Sequence, residues 1–404
     1  MIYFFYPSSI IGGAENLMVN TANLLCNAGL SVGVVDFKNG WVVNNITSPL
    51  IKKEYLYKNK KIQLDEKDVL ITTANYIYKL DNYFLESDAR VLFWVVQPYN
   101  VILGLPNIIS ENKIFQVLLS NYMNKQKIKH IKNLKLIINK NSIVSMDSEC
   151  DRILNYNYSL NYKYYLPIFI DDSRFTQLNV LFKKNNAIEM VWLGRIDLEF
   201  KIHILKKLLL DLNLYKNFFN TSLEFNIIGE GPGLESLKSF VDENIEFKIK
   251  FLGELRGDDL STVLVQSDIG FAMGTSALEI AAKKTPTVLL DFSYNEVLDY
   301  KYRWIFETDC YVLGRDIDFL TKVDVKNMKK LELIFSELID NNKMVAESSF
   351  NYVLENHSSK NVLNLLEDYV INAELTIRDI YQYRSTKPFW NKIWYYLMKF
   401  RRYL

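Results

Sequence analysis

Gly12-Gly13-Ala14-Glu15 follows an apolar run, Met1 to Tyr6, and precedes a helical pattern carried by Leu17, Val19, Ala22, Leu24 and Leu25. A glycine step between a strand and a helix lets the backbone approach a ligand closely, and the helix N-terminus favours an anionic one. The G-x-G-x-x-G spacing of a dinucleotide site is absent, and a plain tight turn accounts for the step about as well. The second half of the chain carries further residues of phosphate-binding type. Gly194-Arg195 closes an apolar stretch, with Lys201 in the segment that follows. A forked guanidinium and a mobile ammonium together suit a diphosphate; a solvated charged loop is the competing reading. Gly229-Glu230-Gly231-Pro232-Gly233 forms another glycine loop, where a structural turn outweighs ligand contact at any one residue. Gly274, Thr275 and Ser276 fall between a strand and a helix, where free N–H groups and hydroxyls suit phosphate oxygens. Glu279, about one turn on, could accept from two vicinal hydroxyls, as on a ribose. Taken alone, an N-cap by Thr275 or Ser276 with Glu279 as a favourable acid outweighs that reading.

These residues need strands that end beside one another. In the first half, Val69–Thr72, Val91–Val96, and Leu136–Ile138 with Ser142–Met146 read as strands, after the opening run and Val32–Phe37. In the second half, strands at Glu189–Leu193, Glu224–Ile228, Ile249–Leu252, Ile269–Ala272 and Thr287–Leu290 alternate with helices at Ile202–Leu214, Leu234–Asn244, Asp259–Gln266 and Ala277–Lys284. Such alternation implies α/β architecture: two Rossmann-like parallel-sheet domains facing a central cleft, followed by a helical C-terminal extension. The expected division is 1–170, 171–370 and a basic, aromatic, amphipathic tail at 371–404. After Lys322 the chain reads as mostly helical.

Composition narrows the function classes. A chain of 404 residues, 49% hydrophobic and 24% charged, is long enough for two or three folded domains. Its net charge of +1 argues against a globally basic nucleic-acid binder. Cys26, Cys150 and Cys310 are scattered, as are His130, His203 and His357, so neither a disulfide framework nor a zinc site is expected. No basic segment precedes the first apolar run, which gives no sign of a signal peptide. Val91–Ile109, the most apolar long stretch, is broken by Gln97-Pro98, Gly104 and Pro106 and is too interrupted to span a membrane.

Taken together, residues 1 to 300 resemble a GT-B-fold glycosyltransferase, closest to the family-4 group of nucleotide-sugar-dependent enzymes. The resemblance rests on Gly12-Gly13-Ala14-Glu15, Leu166–Asp171 with Phe175, Gly194-Arg195 with Lys201, Ile228–Pro232, Phe251-Leu252-Gly253, Ser267-Asp268 and Gly274–Glu279, in that order. It implies that Gly12 and Gly13 lie against the acceptor and the donor phosphates. It implies that Arg195 and Lys201 grip the donor diphosphate and that Gly194, Gly229, Gly274, Thr275, Ser276 and Glu279 complete the donor site, with Glu279 on the ribose. The chain departs from the pattern at Phe271, where the family has its first glutamate, at Phe169 in place of the crossover asparagine, and at Gln97 where a histidine is common. An amide does not titrate usefully, so Gln97 is expected on the acceptor side without acting as a base; an ordinary loop residue before Pro98 accounts for it equally. Phe271 leaves the donor-sugar contact open and weakens the retaining mechanism that the family implies.

The resemblance implies sugar transfer from a nucleoside diphosphate to a glycan or lipid-linked acceptor in bacterial surface polysaccharide assembly, O-antigen or capsule, with no metal or other cofactor. For an inverting route Glu15, Asp147 or Glu149 would be the candidate bases. From Asn112 to Met146 there is no Asp or Glu, while lysines recur from Lys113 to Lys140; Trp390 to Arg402 is also basic and amphipathic. Both stretches suggest contact with the cytoplasmic face of a membrane, against the alternative that they are solvated or packed faces. The competing functions are a sugar-nucleotide epimerase or phosphorylase, a GT-B scaffold without activity in a glycan assembly complex, and, least favoured, a nucleic-acid binder.

Overall fold

The computed structural model describes residues 1–9, 12–58, 60–102, 113–175, 187–216 and 222–382, and the chain divides into two compact units. Unit 1 comprises Met1–Pro167 and the chain from Leu363 onward; unit 2 is Ile168–Val362. The crossover at 167/168 lies beside the expected 170/171, and the return at 362/363 precedes the expected 370/371.

Unit 1 begins with β1 (Ile2–Phe5), α1 (Gly13–Asn27), β2 (Val32–Asp36), α2 (Trp41–Asn45), β3 (Lys52–Tyr55), β4 (Val69–Thr73) and β5 (Arg90–Val95). It continues with α3 (Lys113–Asn139), β6 (Ile143–Ser145) and α4 (Ser148–Tyr158). The six strands form one parallel sheet in the order β3-β2-β1-β4-β5-β6. Every residue of β2 and β4 is buried, as expected of strands covered on both faces. Leu136–Ile138, expected as a strand, is the last turn of α3. Leu134 and Ile137 are buried there while Leu136 is exposed, which is helical rather than alternating spacing.

Unit 2 repeats the plan. It contains β7 (Ala187–Leu193), α5 (Lys201–Tyr215), β8 (Ser222–Ile228), α6 (Leu234–Asn244), β9 (Lys248–Gly253) and α7 (Gly257–Gln266). It goes on through β10 (Ile269–Ala272), α8 (Thr275–Ala281), β11 (Thr287–Leu289), β12 (Arg303–Trp304), α9 (Lys322–Lys326) and α10 (Leu331–His357). The sheet order is β12-β11-β10-β7-β8-β9, parallel except for β12 against β11. Counted within each unit, both sheets therefore run 3-2-1-4-5-6, the Rossmann order. Its topological switch points fall between β1 and β4 and between β7 and β10, and ligands bind at the carboxyl ends of such strands.

Helix α11 (Ser359–Asn372) leads the chain back to unit 1, and α12 (Ile377–Gln382) follows. Val91 N donates to Leu375 O (2.7 Å), Ile377 N donates to Ala89 O (2.9 Å), and Leu375, Ile377 and Ile380 are buried. The described start of the expected tail is thus laced onto the beginning of β5. The remainder, including Trp390–Arg402, lies outside the described residues.

Three buried titratable groups contribute to the acid response. In unit 1, His130 Nδ1 meets the Tyr78 hydroxyl (2.7 Å) and Nε2 meets Val101 O (2.7 Å). A carbonyl can only accept, so Nε2 carries the proton. In unit 2, His357 Nδ1 meets Ile168 O (2.7 Å) and carries it for the same reason. Burial pushes both histidines down to about 4. In unit 1 burial pushes Asp151 up to about 7, with the Tyr165 and Ser145 hydroxyls opposing. A histidine with a lowered folded pKa contributes stability that is complete above about 6.5 and lost as pH falls toward 4. An aspartate with a raised folded pKa acts the other way, costing stability as pH rises from about 4 toward 7. Urea denaturation at pH 7.5 and pH 5 should therefore show His357→Gln reducing the acid loss of wild type. Asp151→Asn should raise the midpoint at pH 7.5 more than at pH 5. Equal effects of each substitution at both pH values would contradict this assignment.

Candidate active site

The best-defined site candidate is the carboxyl edge of the unit 2 sheet at its switch point. The loop after β7 is held by the backbone. Gly194 N donates to Ile228 O (3.0 Å), Ile196 N to Glu230 O (2.9 Å) and Gly233 N to Ile196 O (2.9 Å). On the next strand Gly229 N donates to Gly253 O (2.8 Å). A Cβ at Gly229 would stand 2.1 Å from Gly194 O, and one at Gly231 2.2 Å from Ile196 O. These glycines permit the close approach of two loops, so the turn reading of 229–233 accounts for them.

Above this platform lie the cations. Asp197, buried, accepts from the N–H groups of Glu199 (3.2 Å), Phe200 (2.9 Å) and Lys201 (3.1 Å) through Oδ1. It lies ahead of the N-cap residue Phe200, gathers the N–H groups that lead into α5, and so fixes where Lys201 leaves the chain. The Lys201 ammonium lies 5.9 Å from the Phe200 ring centre. Burial holds it below the ordinary lysine range; Asp197 opposes this, and the like charge of Arg195 adds to it. Arg195 is exposed and Lys201 half-buried. Neither forms an ion pair with another described residue.

After β10 the chain turns through Gly274 (φ 64°), a left-handed position where a Cβ would meet nothing within 4 Å. Its N–H donates to Leu313 O (2.7 Å) and no side chain caps α8. Thr275 is exposed and Ser276 half-buried; neither acts as the expected N-cap, since Gly274 holds that position. Glu279 is engaged: its Oε1 accepts from Arg174 Nη1 at 2.7 Å, a partner that sequence reading did not anticipate. Phe271 is fully buried in β10, with its ring 6.1 Å from that of Phe225. No side chain at that position reaches the sheet edge.

In unit 1, Gly12 is the N-cap of α1 and has no side-chain cap. A Cβ at Gly12 would stand 2.5 Å from Glu15 Oε2, so this mostly buried carboxylate folds back over the helix start. Open space surrounds the Cβ position of Gly13. Negative charge at a helix N-terminus is favourable, and Glu15 supplies it from within the chain. Gln97 is exposed after β5, where its carbonyl accepts from Asn100 N (2.9 Å). Asp147 caps α4 by accepting from Cys150 N (3.1 Å), and Glu149 accepts from Arg152 Nε (2.8 Å). Among the described residues no cluster of three His, Cys, Asp or Glu side chains could hold a metal ion.

No family model and no curated protein matches the chain. Solved structures do. The chain is similar to a glycosyltransferase from Rickettsia africae ESF-5 at 14% identity, covering 92% of this chain and 98% of that one, with a TM-score of 0.57. It is similar to the lipopolysaccharide outer core galactosyltransferase WaaB in its apo form at 10% identity, 92% and 98% coverage and a TM-score of 0.53. It is similar to Anabaena HepE in complex with UDP and glucose at 11% identity, 92% and 99% coverage and a TM-score of 0.50. The fold is that of the GT-B glycosyltransferases: two Rossmann-like units with C-terminal helices.

Burial of Phe271 has a testable consequence. Phe271→Glu, which would place the resembled family's acid at this position, puts a carboxylate among Phe225 and Trp192. It should lower unfolding free energy by at least about 3 kcal/mol, the scale of losing a buried phenylalanine alone. A calorimetric melting temperature equal to that of wild type would show that the position is open to solvent.

Proposed function

We propose that the chain is a glycosyltransferase that uses a nucleoside-diphosphate sugar. The observation that carries this reading is the pair Arg195 and Lys201. Both are cations at the switch-point edge of a Rossmann-type sheet, and neither has an ionic partner among the described residues. A partly desolvated ammonium in no ion pair is costly, Asp197 offsetting only part of the burial, and a ligand can supply further negative charge. A diphosphate does so, and its charge grows as the glycosyl bond breaks. In this reading the bond from the anomeric carbon to the diphosphate oxygen breaks and a bond to the acceptor hydroxyl oxygen forms. The acceptor proton passes to the departing phosphate oxygen, and configuration is retained. Arg195, Lys201 and the N–H groups after Gly274 stabilise the leaving charge, the kind of electrostatic term that usually dominates. Oε2 of Glu279 accepts from the ribose while Arg174 holds Oε1. No metal is assigned a role.

Thermal-shift measurements against UDP, GDP, CMP, ADP and dTDP should show stabilisation by one of them. Arg195→Ala, Lys201→Ala and Glu279→Ala should each weaken it by about tenfold or more, the scale of a lost charge-assisted contact. Stabilisation by none would sink the donor assignment.

The proposed acceptor is a lipid-linked or surface-polysaccharide glycan at the cytoplasmic face of a membrane. WaaB, by its name, acts on lipopolysaccharide outer core. The support within this chain is α3, where Lys125, Lys127, Lys129, Lys132 and Lys135 are exposed beside exposed Ile128 and Leu136. Among the described residues no helix is long and apolar enough to cross a membrane. Each lysine near an anionic leaflet contributes on the order of 1 kcal/mol. Co-sedimentation with phosphatidylglycerol vesicles should be strong at low salt, weak at high salt, and lost on changing Lys125, Lys129 and Lys132 together to Glu. Equal binding to neutral phosphatidylcholine vesicles would refute it.

A second reading, a GT-B scaffold that binds nucleotide without turnover, draws on the absence of an acid at Phe271. Nucleotide stabilisation without nucleotide-sugar consumption on any acceptor would favour it.

A further inference from the structure

With Phe271 sealed in the core, the donor reading leaves the transferred sugar without its expected contact. Resting on that reading, we propose that the loop after β11 supplies one: the ring of Tyr294 is the platform on which the hexose of the donor stacks. β10 lies between β7 and β11 in parallel register, with Phe271 opposite both Trp192 and Val288, so the loops after all three strands leave the same edge. Ser293 N donates to Phe200 O (3.2 Å), tying the β11 loop to the loop that carries Arg195 and leads into Lys201. Three rings continue the connection. Phe200 lies 5.5 Å from Phe292 and 6.0 Å from Tyr294, and Phe292 lies 5.9 Å from Tyr294. The Lys201 ammonium lies 5.9 Å from the first of these rings. In this proposal the sugar attached to a diphosphate held by Lys201 lies on the side of the tyrosine.

The outer ring is set up for such a contact. Phe200 and Phe292 are half-buried and brace Tyr294, which is 54% exposed. The base of the loop is fixed. Asp291, fully buried, accepts from Arg303 Nη2 (2.5 Å), Tyr300 Oη (3.1 Å) and Arg315 N (2.8 Å). Ser293 Oγ accepts from Asn295 N (3.1 Å) and donates to Asn295 O (2.8 Å). A pyranose has an apolar C–H face and a rim of hydroxyls. A planar ring covers the face and leaves the hydroxyls to water or to exposed neighbours such as Glu296. Tyrosine does this at low entropic cost, having two side-chain torsions. A single exposed aromatic is ordinary; one braced by two rings beside unpaired cations marks a subsite.

Titration calorimetry with matched pairs separates this from the donor reading itself: UDP and UDP-glucose, GDP and GDP-mannose, ADP and ADP-glucose, dTDP and dTDP-glucose. For the pair that wild type binds, Tyr294→Ala should weaken the sugar conjugate by about five- to tenfold while moving the parent diphosphate less than about twofold. Tyr294→Phe should bind both as wild type does. Equal weakening of conjugate and parent, or of neither, overturns the platform while leaving the donor reading in place. Wild type binding no parent diphosphate overturns the donor reading and the platform with it.

Discussion

Backbone hydrogen bonds that carry the parallel ladder of β7, β8 and β9 past the strand ends are the constraint on which the candidate donor edge depends. Gly194, Ile196, Gly229 and Gly233 all donate across this edge. The contacts close only because Gly229 and Gly231 lack a Cβ that would strike Gly194 O and Ile196 O. The loop between β7 and α5 is thereby a stiff shelf. Asp197 adds the second fixture by gathering three N–H groups at the start of α5. One carboxylate thus occupies the helix N-terminus that a phosphate could otherwise use. On the proposed donor reading, anion recognition on this shelf falls to side chains, Arg195 and Lys201.

The same logic separates the two glycine steps. At α8 the helix start is led by Gly274, uncapped by any side chain and open around its Cβ position. At α1 the Glu15 carboxylate already stands over Gly12. An anion approaching Gly12 and Gly13 meets like charge, whereas one approaching Gly274 meets Lys201 and Arg195 on the neighbouring strand's loop. Electrostatics therefore favour the unit 2 edge for phosphate. On the proposed reading, the unit 1 edge is left for a neutral, hydroxyl-rich ligand that can donate to Glu15.

Most of the sheet was legible because its strands are short apolar runs bounded by turn residues. Strand β3, Lys52-Lys53-Glu54-Tyr55, was not, since an edge strand with no fully buried residue shows no apolar run. Strand β12 has two residues, too few for any pattern. The end of α3 misled because three apolar residues in a row fit either period, and only burial of Leu134 and Ile137 decides between them. Arg195, Lys201 and Gly274 were visible as residue types at strand ends. Asp197 carried a usable signal, an acid just ahead of a helix start. The partnership of Arg174 with Glu279 had none, since the two lie 105 residues apart.

Phe271 shows how the core constrains chemistry at the site. β10 pairs with β7 at Trp192 and with β11 at Val288 through this residue, and its ring belongs to the main core cluster of unit 2. The chain leaves β10 and reaches Gly274 with only Met273 between them, so the strand has no loop on which an outward carboxylate could ride. Placing an acid in the strand itself would bury it. Polar or stacking contacts to a ligand at this edge must come from neighbouring loops that do extend beyond the sheet. Those are the β7 loop, which carries the cations, and the β11 loop, which carries the aromatic residues. The charge and the apolar surface of the site are divided between the two flanks of β10 because its own end is committed to packing.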